Sequence, residues 1–460
     1  MPFYNRQNEV RRLRRALSSN KANLMVLYGR RRCGKSTLIR EVLSEEDIYF
    51  MAPQADEAVQ RAQLASVISA RIKGFDQAVY PDWESLFTSL QNSLGHRTPP
   101  IALCLDEFPY LAKSSSPLPS LIQKVVDEVG QRRFHLILCG SSQQMMQGMV
   151  LDSTAPLYGR SNEILKIAPL EAGWLIDSLN CPPAQAVGEY ATWGGVPRYW
   201  EIRQEYDTYE EAVKDAILDR LGILHEEPTR LFLDDMRESV QAYSILALVG
   251  KGSHKLSEIA GRLNKPATHL ARPLNRLIQL GYLKREIPFG ESLKSSKRTL
   301  YKLADPFMNF YFSFVSPNLS RLELGLTEQV YEGLAPQFNA FFAGEWENLC
   351  RRSAPMAPIS GLSFGRASRW WGPNENGEMM ELDLVAESVD KKYLLVGECK
   401  WADIANPAPI FRNLIQKAQL LPGLKSRSIV PALFAKSSET EVGVNFPVFT
   451  PAEVMARLKR

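Results

Sequence analysis

The 460-residue chain has no apolar run approaching the roughly 20 residues that cross a bilayer, so no membrane partner is expected. The opening MPFYNRQNEVRRLRR has no apolar core, and no signal peptide is expected there. Cysteine is scarce. Its six positions, 33, 104, 139, 181, 350 and 399, form no CxxC pair. Several fall inside apolar, strand-like segments, where a thiol acts as a small hydrophobe. A reducing, cytoplasmic setting is the simple expectation. Net charge is also small, at +4.

What is present is the composition of a globular protein, 45% hydrophobic and 23% charged. The length suggests about three domains. The small net charge hides an uneven spread. Residues 251–305 hold twelve Lys or Arg against four Asp or Glu, a surplus of +8, so the remainder sums to −4. Such a block fits either a nucleic-acid contact or a solvated charged face.

NLMVLYGRRRCGKSTLI runs strand, loop, helix. Gly29, Arg30, Arg31, Arg32, Cys33, Gly34, Lys35 and Ser36 spell GxxxxGK[ST] between an apolar run and the helical TLIREVL. Glycines let the backbone N–H groups curl around phosphates, and the helix start at Thr37 adds a field that favours anions. Lys35 is expected on the terminal phosphates and Ser36 on Mg²⁺. IALCLDEF supplies a second strand ending in acids. Asp106 is expected to hold Mg²⁺ through water, and Glu107 to orient and deprotonate the attacking water. HLILCGSS gives a third strand, with Ser141 placed either to sense the γ-phosphate or simply to open a loop. Arg160, in PLYGR, is placed either to reach a phosphate, in cis or from a neighbouring copy, or to sit on the surface.

Together, YGRRRCGKSTL, LCLDEF, LCGSSQQMM, PLYGR and TWGGVPRYW resemble archaeal-type P-loop ATPases of the MNS clade, within the STAND and AAA-like ATPases. FYNRQNEVRRL resembles the FxGRexEL start of these proteins, with Asn5 where glycine is usual. The resemblance implies an α/β core of parallel strands flanked by helices over residues 1–170, then a helical lid over 171–230. It implies ATP with Mg²⁺ as cofactors. It also puts Phe3 to Arg6 near the adenine and makes Trp193 to Tyr199 a lid motif, a stretch that a Gly-Gly turn before Pro197 equally explains.

Residues 231–315 have the rhythm of a winged helix-turn-helix. An apolar helix ends at Gly250, a short one spans 256–263, and a third carries Leu270, Leu274, Leu277 and Ile278 on one stripe. GYLKRE and RTLYKLAD read as strands joined by the wing PFGESLKSSK. His269, Arg272, Asn275 and Arg276, with Lys294, Lys297 and Arg298 of the wing, are the expected contacts. They suit phosphates more than base edges. Pro273 is expected to kink the third helix or mark its start. Double-stranded DNA is the expected partner of 251–305, and protein docking is the alternative.

A linker is expected near Ser316 to Glu328. FNAFFAGEWENLCRR then reads as a helix with Phe338, Phe341, Phe342, Trp346 and Leu349 on its apolar side. Two apolar strands follow, MMELDLVAES and YLLVGECKW. Side chains alternate along a strand, so Glu398 and Lys400 share a face, and Asp383, with fourteen residues between it and Glu398, lies on the neighbouring strand. Two carboxylates from adjacent strands suit a hard cation, and a lysine beside them can hold a water or offset phosphate charge. This D…ExK set resembles the restriction-endonuclease-like PD-(D/E)XK nucleases, over residues 330–460. The resemblance makes Asp383, Glu398 and the Cys399 carbonyl ligands of Mg²⁺ or Mn²⁺, with Glu345 as the acid on the first helix and Leu382 where proline is common. A surface ion pair between Glu398 and Lys400 is the plain alternative.

The expected whole is an ATP-hydrolysing protein acting on DNA, with a metal-dependent nuclease domain gated by ATP. A nucleotide-dependent switch that binds DNA or protein without cutting is the competing expectation. RNA is a further possible substrate, and a homo-oligomer a possible assembly.

Overall fold

The computed structural model describes residues 3–95, 98–128, 132–150, 152–235, 239–292, 294, 296–423, 427–438 and 446–459. The chain divides into two compact units, Arg6–Pro169, and Met1–Asn5 with Leu170–Arg460.

In the first unit, β1 (Leu24–Tyr28), β2 (Ile48–Met51), β3 (Ile101–Asp106), β4 (Phe134–Gly140) and β5 (Glu163–Lys166) form one parallel sheet in the order β2-β3-β4-β1-β5. The three inner strands are buried along their whole length. Helices on both faces leave no polar side, so LMVLY, IALCLD and FHLILCG need no alternation. The edge strands β2 and β5 do alternate. Leu24, Val26, Leu103, Leu105, Leu136 and Leu138 meet Phe87 and Phe108 in the core. Because β1, β3 and β4 are parallel neighbours, the segments following them emerge at one edge of the sheet, where open α/β folds bind ligands.

The second unit begins with short helices, among them Pro183–Trp193 and Pro197–Arg203. They are pinned by the buried Glu189 carboxylate, which accepts from both Arg203 Nε and Nη2 at 2.9 Å and from Trp193 Nε1 at 3.0 Å. The Gly-Gly turn between these helices is packing-driven. A Cβ on Gly195 would lie 2.1 Å from the Leu170 carbonyl oxygen. Trp200 Nε1 closes the turn on Gly194 O at 2.7 Å.

Helices Ser239–Gly250, Leu256–Arg262 and Ala267–Gln279 come next, followed by an antiparallel hairpin of β6 (Leu283–Glu286) and β7 (Leu300–Leu303). Leu270, Leu274 and Leu277 are buried, and His269, Arg272 and Asn275 on the other side are exposed. The third helix runs through Pro273 and begins at Ala267, so Pro273 does not mark its start. Leu293 and Ser295 of the expected wing lie outside the described residues.

Most of the expected linker is helical instead. Ser316–Asn318 and Leu319–Glu323 are short helices, and the long helix Thr327–Ser353 starts before the linker was expected to end. Its Phe338 packs among Phe310, Phe314 and Tyr331, which orders the segment by aromatic burial. A second sheet follows, with β8 (Ser368–Pro373), β9 (Met379–Glu387), β10 (Tyr393–Ile404), β11 (Ser428–Ser438) and β12 (Val448–Phe449) in the order β12-β11-β10-β9-β8. β8, β9 and β10 form an antiparallel meander. Helix Ala408–Gln419 then crosses over to β11, which pairs parallel with β10. This helix covers one face through Leu414 and Ala418 against Leu394 and Val396. The long helix covers the other, with Trp346 Nε1 on Phe434 O at 3.4 Å and its ring 5.4 Å from Trp401.

Candidate functional sites

The GRRRCGKS loop joins β1 to helix Lys35–Val42. Gly29 is required by space, since a Cβ there would lie 2.2 Å from the Ile167 carbonyl oxygen. Arg32 and Gly34 carry positive φ, at 64° and 82°, and this reverses the chain around the loop. Inside it, buried Lys35 Nζ donates to Gly29 O and Arg30 O, each at 3.0 Å. Arg30 is buried, whereas Arg32 and Thr37 are exposed. Arg6 braces the loop from outside. Its guanidinium donates to Cys33 O at 3.2 Å and to Ala168 O, and pairs with Glu9 at 3.3 Å.

The strand ends complete this site. Ser36 Oγ donates to Asp106 Oδ2 at 2.6 Å, and Tyr49 Oη from β2 donates to the same oxygen at 2.6 Å. Burial, then the bond to Asp106, raises the Tyr49 pKa, which keeps the phenol a donor. Glu107 has a left-handed backbone, with φ of 54°. Its Oε2 accepts from Ser141 Oγ at 2.9 Å and from Ser141 N at 3.1 Å. A cradle shut to a Cβ, an inward lysine and a hydroxyl-carboxylate pair at the helix start suit a nucleoside triphosphate with Mg²⁺. Tyr49 had no signal in the sequence beyond its place on an apolar strand. Arg160 does not join this cluster. Its Nε binds Asp127 Oδ1 at 2.8 Å, and its side chain is 30% exposed.

In the second sheet, the pairing of β9 with β10 ends at Leu384 and Gly397. Beyond it the Asp383 carboxylate, not a backbone carbonyl, accepts the Cys399 N–H, at 2.9 Å. Burial above all, with the nearby charges of Glu398 and Glu347, pushes the Asp383 pKa up to about 6 against the Cys399 bond and Lys400. Lys400 Nζ lies 2.7 Å from Glu398 Oε1. Burial works against its ammonium, but the Glu398 bond and the charges of Glu398 and Asp383 outweigh this and raise its pKa.

The helix acid facing this cluster is Glu347, not Glu345. Glu347 acts on Asp383 and pairs with Arg351 at 3.3 Å, while Arg351 Nη1 donates to Asp383 O at 2.8 Å. Glu345 is buried two residues earlier, on another side of the helix. Burial raises its pKa against the opposing charge of Lys284. Asn348 bridges the two, accepting from Lys284 Nζ at 3.1 Å and donating to Glu345 Oε2 at 3.1 Å. Among the described residues no three His, Cys, Asp or Glu side chains converge to hold a metal ion. An ion here would rest on Asp383, Glu398 and backbone oxygen, a donor set of the hard-cation type.

Part of the basic block faces inward. Lys284 is half-buried, and desolvation lowers its pKa against the charge of Glu345. Arg298 pairs with Glu291 and donates to Trp371 O on β8, so it is committed within the unit. Arg369 of β8 reaches back to Glu286 at 3.2 Å. Lys294 and Lys297 remain exposed with His269, Arg272 and Asn275, and Arg276 is half-buried.

Residues 3–179 match the ATPase domain found predominantly in Archaea, and residues 311–409 match archaeal and bacterial proteins of unknown function. An uncharacterized protein of Methanocaldococcus jannaschii is 30% identical over 454 residues, covering 95% of this chain and 97% of the relative. The chain belongs to that protein's family. An uncharacterized ATP-binding protein of the same organism is 50% identical over 46 residues, covering 10% of this chain and 78% of the relative. The Walker-type ATPase of Pyrococcus abyssi shares the fold over 67% of this chain and 96% of its own, with a TM-score of 0.52 at 20% identity. The first unit therefore has a P-loop ATPase fold, and no described helix is long and apolar enough to cross a membrane.

Proposed function

We propose that this family member hydrolyses ATP at Lys35, Ser36, Asp106 and Glu107, and uses the cycle to govern a phosphodiester-cleaving site at Asp383, Glu398 and Lys400. The domains would be an ATPase core at 1–170, a helical lid at 171–230, a winged helix at 231–315 and a nuclease-like domain at 330–460. The observation that carries the ATPase half is the Ser36–Asp106 bond beneath a closed glycine loop. In hydrolysis, Lys35 and the loop N–H groups would bind phosphate, Ser36 and Asp106 would hold Mg²⁺, and Glu107 would take the proton of the attacking water.

The nuclease half rests on one arrangement, a three-stranded meander, a crossover helix and a parallel strand, with Asp383 displacing the ladder beside Glu398 and Lys400. A divalent ion there would neutralise phosphate charge and lower the pKa of a bound water. Asp383 and Glu398 would hold it, and Lys400 would position water. DNA would lie on the helix Ala267–Gln279 and on Lys294 and Lys297. Lys284 of β6, Asn348, Arg351 and Asp383 form a bonded series, which would give DNA binding a route to the proposed chemistry.

A second reading, a DNA-binding switch that does not cut, is favoured by the Glu398–Lys400 pair and the lack of a three-sided acid cluster among the described residues. Incubation of duplex DNA with Mg²⁺ or Mn²⁺ tests the proposal. Cleavage lost in Asp383→Asn supports it. No cleavage by the wild type, with ATP turnover intact, favours the switch.

A further inference from the structure

The loop between β1 and its helix carries three consecutive arginines, and they go three ways. Arg30 is buried behind the loop and Arg32 faces solvent. Arg31 alone crosses the mouth of the site. Its Nε donates to Ser141 Oγ at 3.3 Å and its Nη2 to Tyr110 Oη at 2.5 Å. Ser141 is also the residue that holds Glu107, through both its hydroxyl and its backbone N–H. A guanidinium, a hydroxyl and the acid expected to activate water therefore form one bonded line over the ends of β3 and β4. Lys35, by contrast, lies deep in the loop on Gly29 O and Arg30 O. Phosphates bound along the loop N–H groups would run from this interior outward, and the last of them would meet the Arg31 line. Arg160 is on Asp127, away from that line.

We propose that Arg31 is the residue that reads the terminal phosphate of a nucleoside triphosphate, with Tyr110 as its anchor, and that it thereby distinguishes triphosphate from diphosphate. This inference rests on the nucleotide-site reading above. Guanidinium is suited to the task because its planar fork binds two phosphate oxygens at once, which an ammonium does not. The same displacement bears on chemistry. Engagement of Arg31 by phosphate takes its bond away from Ser141, and Ser141 is what caps Glu107.

The test is direct nucleotide binding, by calorimetry or a fluorescent analogue, to the full chain with Mg²⁺. Wild type, Arg31→Lys, Arg31→Gln, Tyr110→Phe and Lys35→Ala are compared, with ADP and a non-hydrolysable ATP analogue as ligands. Arg31→Gln should lose roughly tenfold or more in affinity for the triphosphate, the worth of a charge-assisted hydrogen bond, with ADP affinity within about twofold of wild type. Arg31→Lys should keep only part of the preference, and Tyr110→Phe should weaken triphosphate binding in the same selective way. Melting without nucleotide identifies a variant that fails to fold, and Arg31→Lys is then the variant read. Equal loss for both ligands, or no loss, overturns the proposal. A wild type that binds neither ligand, and behaves as Lys35→Ala does, overturns the nucleotide-site reading itself.

Discussion

The Ser36 hydroxyl and the Asp106 carboxylate, 70 positions apart in sequence, meet at 2.6 Å. The P-loop fold brings them together because β1 and β3 are parallel and separated only by β4. A Mg²⁺ ion shared between them would be lost with either partner. Ser36→Ala and Asp106→Asn should each cut ATP turnover by about 100-fold or more, the scale of losing an electrostatic group aimed at the transition state. Tyr49→Phe, which removes one donor from Asp106 and leaves the ligands in place, should cost less. Initial rates across a Mg²⁺ titration measure all three, and a Ser36→Ala enzyme with wild-type rates would contradict the assignment.

The raised pKa of Asp383 has a definite sign for stability. The folded protein holds this proton up to about pH 6, whereas the unfolded chain releases it near 3.8. Between those values the folded state binds more protons, so stability falls as pH rises through that window, by at most about 3 kcal/mol. Asp383→Asn should therefore melt at a higher temperature than wild type at pH 8 in chelator, with the gap closing near pH 4. Melting curves at the two pH values check this, and a variant less stable at pH 8 would refute it.

Arg203 and Glu189 form a bidentate pair that is almost wholly buried. Removing one partner of such a pair leaves an uncompensated charge, at a cost of about 3–5 kcal/mol. Arg203→Ala should lower the denaturation midpoint of the chain accordingly. Arg198→Ala, which breaks the exposed pair with Glu201, should change it by under about 1 kcal/mol.

The basic block should divide functionally along the line of its burial. Arg272→Ala and Lys297→Ala remove exposed cations and should each reduce the slope of log affinity for duplex DNA against log salt by about 1. Arg298→Ala should act through folding of the hairpin, because that guanidinium already serves Glu291 and Trp371 O. Filter binding across a salt series, beside melting curves, separates the two effects. A slope unchanged in Arg272→Ala and Lys297→Ala would move the DNA contact elsewhere.

The sequence carried whatever depends on local pattern. The glycine loop, the apolar runs ending in Asp106 and Ser141, and the strands holding Asp383, Glu398 and Lys400 all follow from composition at fixed spacing. What it hid was rotational phase and long-range pairing. Glu345 and Glu347 are two positions apart on one helix, so they point in different directions, and only the docking of Trp346 on β11 decides which faces Asp383. The helices within 316–323 were masked by Pro317 and Asn318, residues that read locally as a linker, and only the turn at Gly325 breaks the run before Thr327. Arg298 looked like a free wing cation because its partner, the Trp371 carbonyl, is 73 residues away.

Under the proposed function, one nucleotide site governs one cleavage site. The most direct test of that coupling follows cleavage of plasmid and linear DNA in Mg²⁺ or Mn²⁺, with and without ATP, by wild type, Lys35→Ala and Lys400→Ala. The prediction is that ATP changes the wild-type cleavage rate, that Lys35→Ala no longer responds to ATP, and that Lys400→Ala does not cut under any condition. Cleavage by Lys35→Ala and wild type at one rate, with ATP and without it, would contradict the coupling.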